Sequence, residues 1–244
     1  MEDFVFEQME MVEGRHWWFK ARRDVIKSFL RKYLPAEKKG RVLEAGCGTG
    51  HILSDLGEEW EVFGIDINDR ALESCRKKGI ENVRRSNITD ITFESGTFDA
   101  IVCSDVLYHE MVSDDEKALK ELYRVCKKGG VLLIFEPAFE WLWSPHDVVE
   151  HTRHRYTRKE LSSKLKKCGF TVKKSSYHVF LLLPLVLAVR LFKRTFRSGQ
   201  PQSDFYVMAP PVNRFFSGLM NFENKLVRAV NFPWGSTVMC LAVK

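Results

Sequence analysis

Apolar positions recur with two periods along this chain. Between residues 18 and 33 they fall three and four apart, at Trp18, Ala21, Val25, Ile26, Phe29, Leu30 and Tyr33, and Pro35 follows. That spacing predicts a leading helix. From residue 40 onward, short apolar runs alternate with helical stretches. The runs cover 42–44, 61–66, 83–86, 100–103, 131–135, 170–177 and 237–243. A first helix starts near Thr49 and carries Ile52, Leu53 and Leu56 on one face. A second, over 68–78, begins at a capping Asn68 and stops at Gly79. Ser113-Asp114-Asp115-Glu116 reads as a capping box. The helix it opens carries Ala118, Leu119, Leu122, Tyr123 and Cys126 on one face. Thr157 with Glu160 opens a fourth, over 158–168, which Gly169 ends. Strands alternating with helices in this way build a doubly wound α/β sheet.

The alternation is interrupted before the last strand, over 180–233. That insertion holds an apolar run, Phe180 to Phe192, broken by Pro184 and Arg190, and then Lys193, Arg194 and Arg197. A Gly-Gln-Pro-Gln-Ser linker at 199–203 leads to a second helix at about 212–230, with Phe215, Phe216, Leu219, Met220, Leu226, Val227 and Val230 on its apolar face. The first run is too short to span a bilayer, which takes roughly 20 apolar residues. The chain thus divides into an N-terminal helical lid over 1–35, a main domain over 36–179 and 234–244, and an apolar, basic insertion over 180–233.

Composition adds little: 45% apolar and 29% charged residues suit a globular protein. Charge adds more. The net value is +6, and from Glu150 to Gln200 there are 13 Lys or Arg against two acids. This is either a solvated helix face or a basic surface for a phosphate-bearing partner. The start of the chain is acidic (Glu2, Asp3, Glu7, Glu10, Glu13) and does not read as a signal peptide. The six cysteines form no C-x-x-C pair and are expected to be buried, reduced thiols of a cytoplasmic protein.

The stretch Val42-Leu43-Glu44-Ala45-Gly46-Cys47-Gly48-Thr49-Gly50 carries the strongest chemical signal. A strand ends in an acid, and glycines follow at alternate positions before a helix. Asp66 closes the next strand, where an acid accepts hydrogen bonds from ribose hydroxyls. A dinucleotide site would show G-x-G-x-x-G; here the pattern is G-x-G-x-G. This resembles motif I of the class I S-adenosylmethionine-dependent methyltransferases. The resemblance extends through Asn87-Ile88, Phe98-Asp99 and the Val106-Leu107-Tyr108-His109 segment, and covers residues 40–178. It implies a Rossmann-like seven-stranded sheet with a final antiparallel hairpin, and S-adenosyl-L-methionine as cofactor. It implies that Glu44 lies near the cofactor amino group, that Gly46, Cys47, Gly48 and Gly50 line its methionine part, and that Asp66 and Ile67 meet the ribose. Asn87, standing where the family usually has an Asp, and the backbone of Ile88 would meet adenine. Ser104 would lie toward the sulfonium.

Methyl transfer needs position and desolvation, and a base only if the acceptor loses a proton. The candidates are His109, His151, His154 and Tyr156. The last three lie in His151-Thr152-Arg153-His154-Arg155-Tyr156, which resembles the H-x-R-x-Y-T segment of methyltransferases linked to cell-surface glycan pathways. Those proteins also carry an H-W-W-F segment, here His16-Trp17-Trp18-Phe19. One of these aromatics, with Trp18 the choice, either lids the pocket or simply docks the helix. A metal at the histidines does not fit their spacing.

The expected function is therefore S-adenosylmethionine-dependent methyl transfer, at oxygen, to a small-molecule or lipid-linked glycan acceptor. The alternatives are an RNA methyltransferase and a non-catalytic cofactor-binding subunit. Nucleic acid is not the expected partner, because neither N-P-P-Y nor a Pro-Cys pair is present. The insertion is expected to contact an anionic membrane at its inner face, or to form an oligomer contact.

Overall fold

A computed structural model describes residues 3–34, 39–196 and 207–244. One sheet is formed by β1 (Arg41–Ala45), β2 (Glu61–Asp66), β3 (Val83–Arg85), β4 (Phe98–Ser104), β5 (Cys126–Pro137), β6 (Thr171–His178) and β7 (Thr237–Val243). Its order is β3-β2-β1-β4-β5-β7-β6. β7 runs antiparallel between β5 and β6, and the other pairs are parallel. This is the doubly wound, Rossmann-like sheet with a closing hairpin that the alternation and the resemblance predict.

Strand side chains alternate between two faces, so each strand feeds two cores. Ile101, Leu132 and Ile134 pack with Leu119 and Leu122 of α5 (Asp115–Val125) and with Leu161 and Leu165 of α7 (Arg158–Lys167). Their neighbours Ala100, Val102, Val131, Leu133 and Phe135 face the other way. They meet Ile26, Phe29 and Leu30 of α2 (Trp17–Tyr33) and Val227 of α9 (Pro210–Ala229). Leu53 of α3 (His51–Gly57) and Leu72 of α4 (Asp69–Lys77) close a smaller cluster at the β2–β3 end.

Three local details differ from the sequence reading. The leader is two helices, α1 (Asp3–Val12) and α2, because the chain turns at Gly14-Arg15-His16. His16 then caps α2 by accepting from Trp18 N at 3.3 Å. The cap of α5 is Asp114, not Ser113: its carboxylate accepts from Lys117 N at 2.9 Å. β5 begins directly at Cys126, which pairs with Phe98, so no loop separates it from α5.

The insertion docks through buried polar groups that its apolar pattern hides. α9 lies on α2, with Met220 packed against Trp17, Ala21 and Leu182. Asn213 accepts from Trp17 N (2.8 Å) and donates to Arg15 O (2.8 Å). Asn224 donates to Ala21 O (2.9 Å) and bonds His178 Nε2 (2.8 Å). Glu223 is fully buried and accepts from Phe180 N (3.0 Å) and Leu181 N (2.9 Å), fixing the turn into α8 (Leu183–Phe196). The two insertion helices therefore cover the sheet and α2, yet leave Leu185, Leu191, Val212, Phe215 and Phe222 exposed. The 199–203 linker and Arg197 lie outside the described residues. Among the described residues no helix is long and apolar enough to cross a membrane.

Glu223→Ala removes the acceptor of two backbone donors beneath the insertion. It should cost about 2–3 kcal/mol of unfolding free energy, read as a lowered urea midpoint. A midpoint equal to that of the parent would refute this anchoring role.

Candidate cofactor and acceptor site

The site begins where β1 breaks. Gly46 has φ 84°, and a Cβ there would stand 2.3 Å from Val106 Cγ2. Only glycine allows β1 to turn this close to the loop after β4. Gly50 has φ 81°, and its Cβ would meet Cys75 Sγ at 2.8 Å, so it serves the contact of α3 with α4. Between them Gly48 N donates to Asp66 Oδ2 (3.0 Å), while Asn68 N donates to Oδ1 (2.9 Å). Asp66 is thus aimed by two amides, with burial raising its pKa. Glu44 is buried at the end of β1, and burial pushes its carboxyl well above the usual range. Its Oε2 has no hydrogen-bond partner among the described residues.

The end of β4 forms the middle of the site. Asp105 takes a left-handed φ of 57°, which is uncommon for a residue with a Cβ. Its carboxylate accepts from Ser104 Oγ (2.9 Å) and from Arg22 Nη1 (3.1 Å). Arg22 comes from α2, is 2% exposed, and also donates to Ser104 Oγ (2.9 Å) and Thr237 Oγ1 (3.2 Å). Its guanidinium lies over Trp18 and Phe135. The next turn is held by Glu136 at the end of β5, which accepts from Leu107 N (2.9 Å) and Tyr108 N (3.1 Å).

A cavity of about 590 Å³ runs across these features. Glu44, Gly46, Cys47, Gly48, Asp66, Ile67, Asn87, Ile88, Ser104 and Trp18 all line it; Gly50 does not. Gly50 is spent on helix packing instead. Asn87 differs in detail from expectation, since its carbonyl oxygen accepts from Thr89 N and Thr89 Oγ1, both at 2.9 Å. That local turn occupies the acceptor that adenine was expected to use.

The candidate bases divide. His109 lines the cavity, stacks on His151 and is pushed down to about 4 by burial, so it is neutral near pH 7. His151, His154 and Tyr156 do not line it. His151 has φ 54° and bonds Glu110 (2.6 Å). His154 sits between Glu140 and Glu160, both at 2.8 Å. Tyr156 is fully buried and donates to Asp115 Oδ2 (2.6 Å), and burial raises its pKa. The segment is a brace, contrary to the expectation that these three side chains face the acceptor. The physical reason is pairing: Arg153 N donates to Tyr108 O (2.7 Å), and Tyr156 N to Pro137 O (2.8 Å). These bonds fix the strand-like path and turn the three side chains outward from the cavity.

Other residues take their place at the wall. Asp147, Glu150, Thr152 and Arg155 line the far end, with Arg155 Nε on Asp147 Oδ1 at 2.7 Å. From the insertion come Leu185, Val186, Val189 and Arg190. From the N-terminal segment come Glu13, Trp17 and Arg22. Thr49 Oγ1 donates to the Glu13 carboxyl, and burial pushes Glu13 up to about 7. No sequence signal marks Glu13, which sits in an acidic leader that resembles a solvated run. Arg22 and Asp105 carried a weak signal, as a base one turn beyond the aromatics and as the end of a strand.

The residues fit S-adenosylmethionine. An unpartnered buried carboxylate at Glu44 suits an ammonium group, and the aimed Asp66 suits two ribose hydroxyls. Residues 43–134 match the family model described as a methyltransferase domain. The phosphatidylethanolamine N-methyltransferase of Cereibacter sphaeroides is 35% identical over 102 residues, 39% of this chain and 49% of that protein. The ubiquinone/menaquinone biosynthesis C-methyltransferase UbiE of Cronobacter sakazakii is 36% identical over 122 residues, 44% of this chain and 47% of that protein. A solved S-adenosylmethionine-dependent methyltransferase of Thermotoga maritima superposes with a TM-score of 0.63 at 20% identity, covering 98% of this chain and 94% of that one. Residues 43–134 form a methyltransferase domain, the fold is that of the class I S-adenosylmethionine-dependent methyltransferases, and S-adenosylmethionine is the cofactor. The matched stretches span under half the length of these curated relatives.

Asp66→Ala should weaken cofactor binding in calorimetry by about tenfold or more, because hydrogen bonds to a charged acceptor are each worth ~1.5–3 kcal/mol. An unchanged affinity in a folded variant would remove Asp66 from the ribose site. Glu13 supplies a pH signature. Its folded pKa of about 7 lies above the ordinary 4.5, so the native state holds a proton that the unfolded chain releases. The associated stability is complete below 4.5 and is lost as pH rises through about 7, amounting to at most about 3 kcal/mol. Glu13→Gln should therefore gain thermal stability relative to the parent between about pH 5 and about pH 8. A melting-temperature difference that is flat with pH would contradict this.

Proposed function

We propose that this chain transfers the methyl group of S-adenosylmethionine, at oxygen, to a small molecule with an apolar portion, such as a lipid-linked glycan. The observation that carries this reading is the continuity of the cavity. It runs from Glu44 and Asp66, past Ser104 and His109, to a mouth lined by Met111, Leu185 and Val189. All three mouth residues are exposed as well as cavity-lining. The volume, about 590 Å³, falls within the usual range for small-ligand sites. The cofactor supplies an activated methyl group; the protein supplies position and exclusion of water. Trp17, Trp18 and residues of α8 line the cavity, as do Asp105, Val106, Tyr108 and His109.

A nucleic-acid acceptor is less well served. Phosphates favour basic walls, and this end of the cavity carries Asp147 and Glu150, with Arg155 already paired to Asp147. An acceptor held at an anionic bilayer is a second reading. The favouring feature is the exposed Leu185, Val189 and Leu191 of α8, followed in sequence by Lys193 and Arg194.

Cofactor labelled in its methyl group, incubated with a deproteinised cell extract, with lipid extract or with RNA, distinguishes these acceptors. Label is expected in an organic-soluble or small-molecule product identified by mass spectrometry. Label in RNA alone would overturn the reading. Leu185→Asp with Val189→Asp should lower transfer roughly tenfold or more, given ~1.5–3 kcal/mol per buried aliphatic side chain, with cofactor affinity little changed. The same pair should also abolish any sedimentation with anionic vesicles; sedimentation that persists would place the membrane contact elsewhere.

A further inference from the structure

Buried carboxylates, together with the half-buried Asp66, surround the site or brace it, and they fall into two kinds. Glu136 accepts from Leu107 N and Tyr108 N, Glu223 from Phe180 N and Leu181 N, and Asp66 from Gly48 N and Asn68 N. Glu13 takes the Thr49 hydroxyl. Each of these is committed to protein donors. Glu44 and Glu150 differ. Each keeps one buried oxygen without a hydrogen-bond partner among the described residues, Glu44 Oε2 and Glu150 Oε1, and each lines the cavity. An unpaired buried carboxylate oxygen is costly, and it is retained where a ligand completes it. Glu44 stands at the cofactor end, on β1. Glu150 stands at the other end, directly after α6 (Pro145–Val149), among Asp147, Thr152 and Tyr108.

Glu150 is also held in place. Tyr108 Oη donates to its Oε2 at 2.9 Å, which leaves Oε1 as the free atom. Tyr108 is in turn positioned through its backbone by Glu136 at the end of β5. The groups that face Glu150 are Tyr108 and Asp105 from the loop after β4, and His146 on α6. His146 favours the carboxylate through its charge, and no hydrogen bond from a described residue reaches Oε1.

We propose that Glu150 is the base of this site: its Oε1 hydrogen-bonds the acceptor's O–H and takes the proton as the methyl group transfers. The inference rests on the methyltransferase reading above. In the step, the acceptor oxygen's lone pair forms the new bond to carbon, and the carbon–sulfur pair stays on sulfur. The acceptor's proton passes to Glu150 Oε1 and later to water. Charge balances, since a sulfonium and a carboxylate become a thioether and a carboxylic acid. Tyr108 is a positioning residue.

The cavity also makes the base conditional on the cofactor. Burial is the main influence on Glu150 and raises its pKa, which favours the protonated acid in the empty site. A positive sulfonium bound in the same cavity favours the carboxylate. Binding of S-adenosylmethionine therefore arms Glu150 by expelling its proton. The neutral product S-adenosylhomocysteine exerts no such pull.

The test reads protons and needs no identified acceptor. Calorimetry of S-adenosylmethionine and S-adenosylhomocysteine binding, in buffers of different ionisation enthalpy across pH, gives the protons released by each. The parent should release more with the sulfonium than with the thioether, and Glu150→Gln should abolish that difference while still binding S-adenosylhomocysteine. Tyr108→Phe should move the pH midpoint of release upward, because the hydroxyl that favours the carboxylate is gone. In the labelled-transfer assay with deproteinised extract, Glu150→Gln should lower product by about 10²-fold or more, and Glu150→Asp should recover part of it. The same proton difference in Glu150→Gln as in the parent, or none in the parent, would overturn the assignment even if label is transferred. A parent that shows the proton difference but labels no acceptor would instead overturn the transfer reading on which this rests.

Discussion

A buried cation ties the N-terminal helices to the cavity end of the sheet. Arg22 is carried in from α2, is 2% exposed, and lies between the rings of Trp18 and Phe135. Its donors reach Ser104 and Asp105 at the end of β4 and Thr237 at the start of β7. A desolvated guanidinium needs its charge answered; Asp105 does this, and Nη1 and Nη2 are bonded while Nε has no hydrogen-bond partner among the described residues, so these contacts hold the elements in one relative position. That position sets where Trp18 meets the cavity. It also stabilises the left-handed turn at Asp105, from which the 106–109 loop departs. Without Arg22 the lid would have an apolar seam but no fixed register on the site.

The loop beyond Asp105 depends on a second interior group. Glu136 is wholly buried at the end of β5 and receives three successive backbone amides, from Val106, Leu107 and Tyr108. The H-x-R-x-Y segment then buttresses the same loop from outside, through Arg153 N on Tyr108 O and Tyr156 Oη on Asp115. Its histidines, arginines and tyrosine are thus largely spent on rigidity. The acceptor end is shaped by the residues this brace presents, Asp147, Glu150 and Thr152. An active site of this type needs its reacting groups held within fractions of an ångström, and a doubly anchored loop provides that.

The insertion follows the same logic on a larger scale. Its sequence reads as apolar and basic, and its docking is decided by Asn213, Glu223 and Asn224, three polar residues inside α9. They satisfy backbone groups of α2 and of the β6–α8 turn that would otherwise be buried unpaired. α8 is then free to place Leu185 and Val189 at the cavity mouth, where they are lining and exposed at once.

Much of this molecule is determined by local sequence. Alternating and helical periodicity fixes the strands and most helices, because burial of one face is a property of a short segment. The glycine spacing after Glu44 and the acid at Asp66 mark one end of the cavity, since a tight turn and a strand-terminal carboxylate both follow from residue type over a few positions. Histidines and a tyrosine in the 151–156 segment look equally chemical in sequence, yet they do not line the cavity. Nothing local distinguishes them from Glu150. What separates them is long-range hydrogen bonding, Arg153 to Tyr108 and Tyr108 to Glu150 across 42 positions. The roles of Glu13, Arg22 and Glu223 were hidden for the same reason. Each is a charged residue in a polar-looking context whose burial depends on partners far along the chain, and burial is decided only when the elements pack.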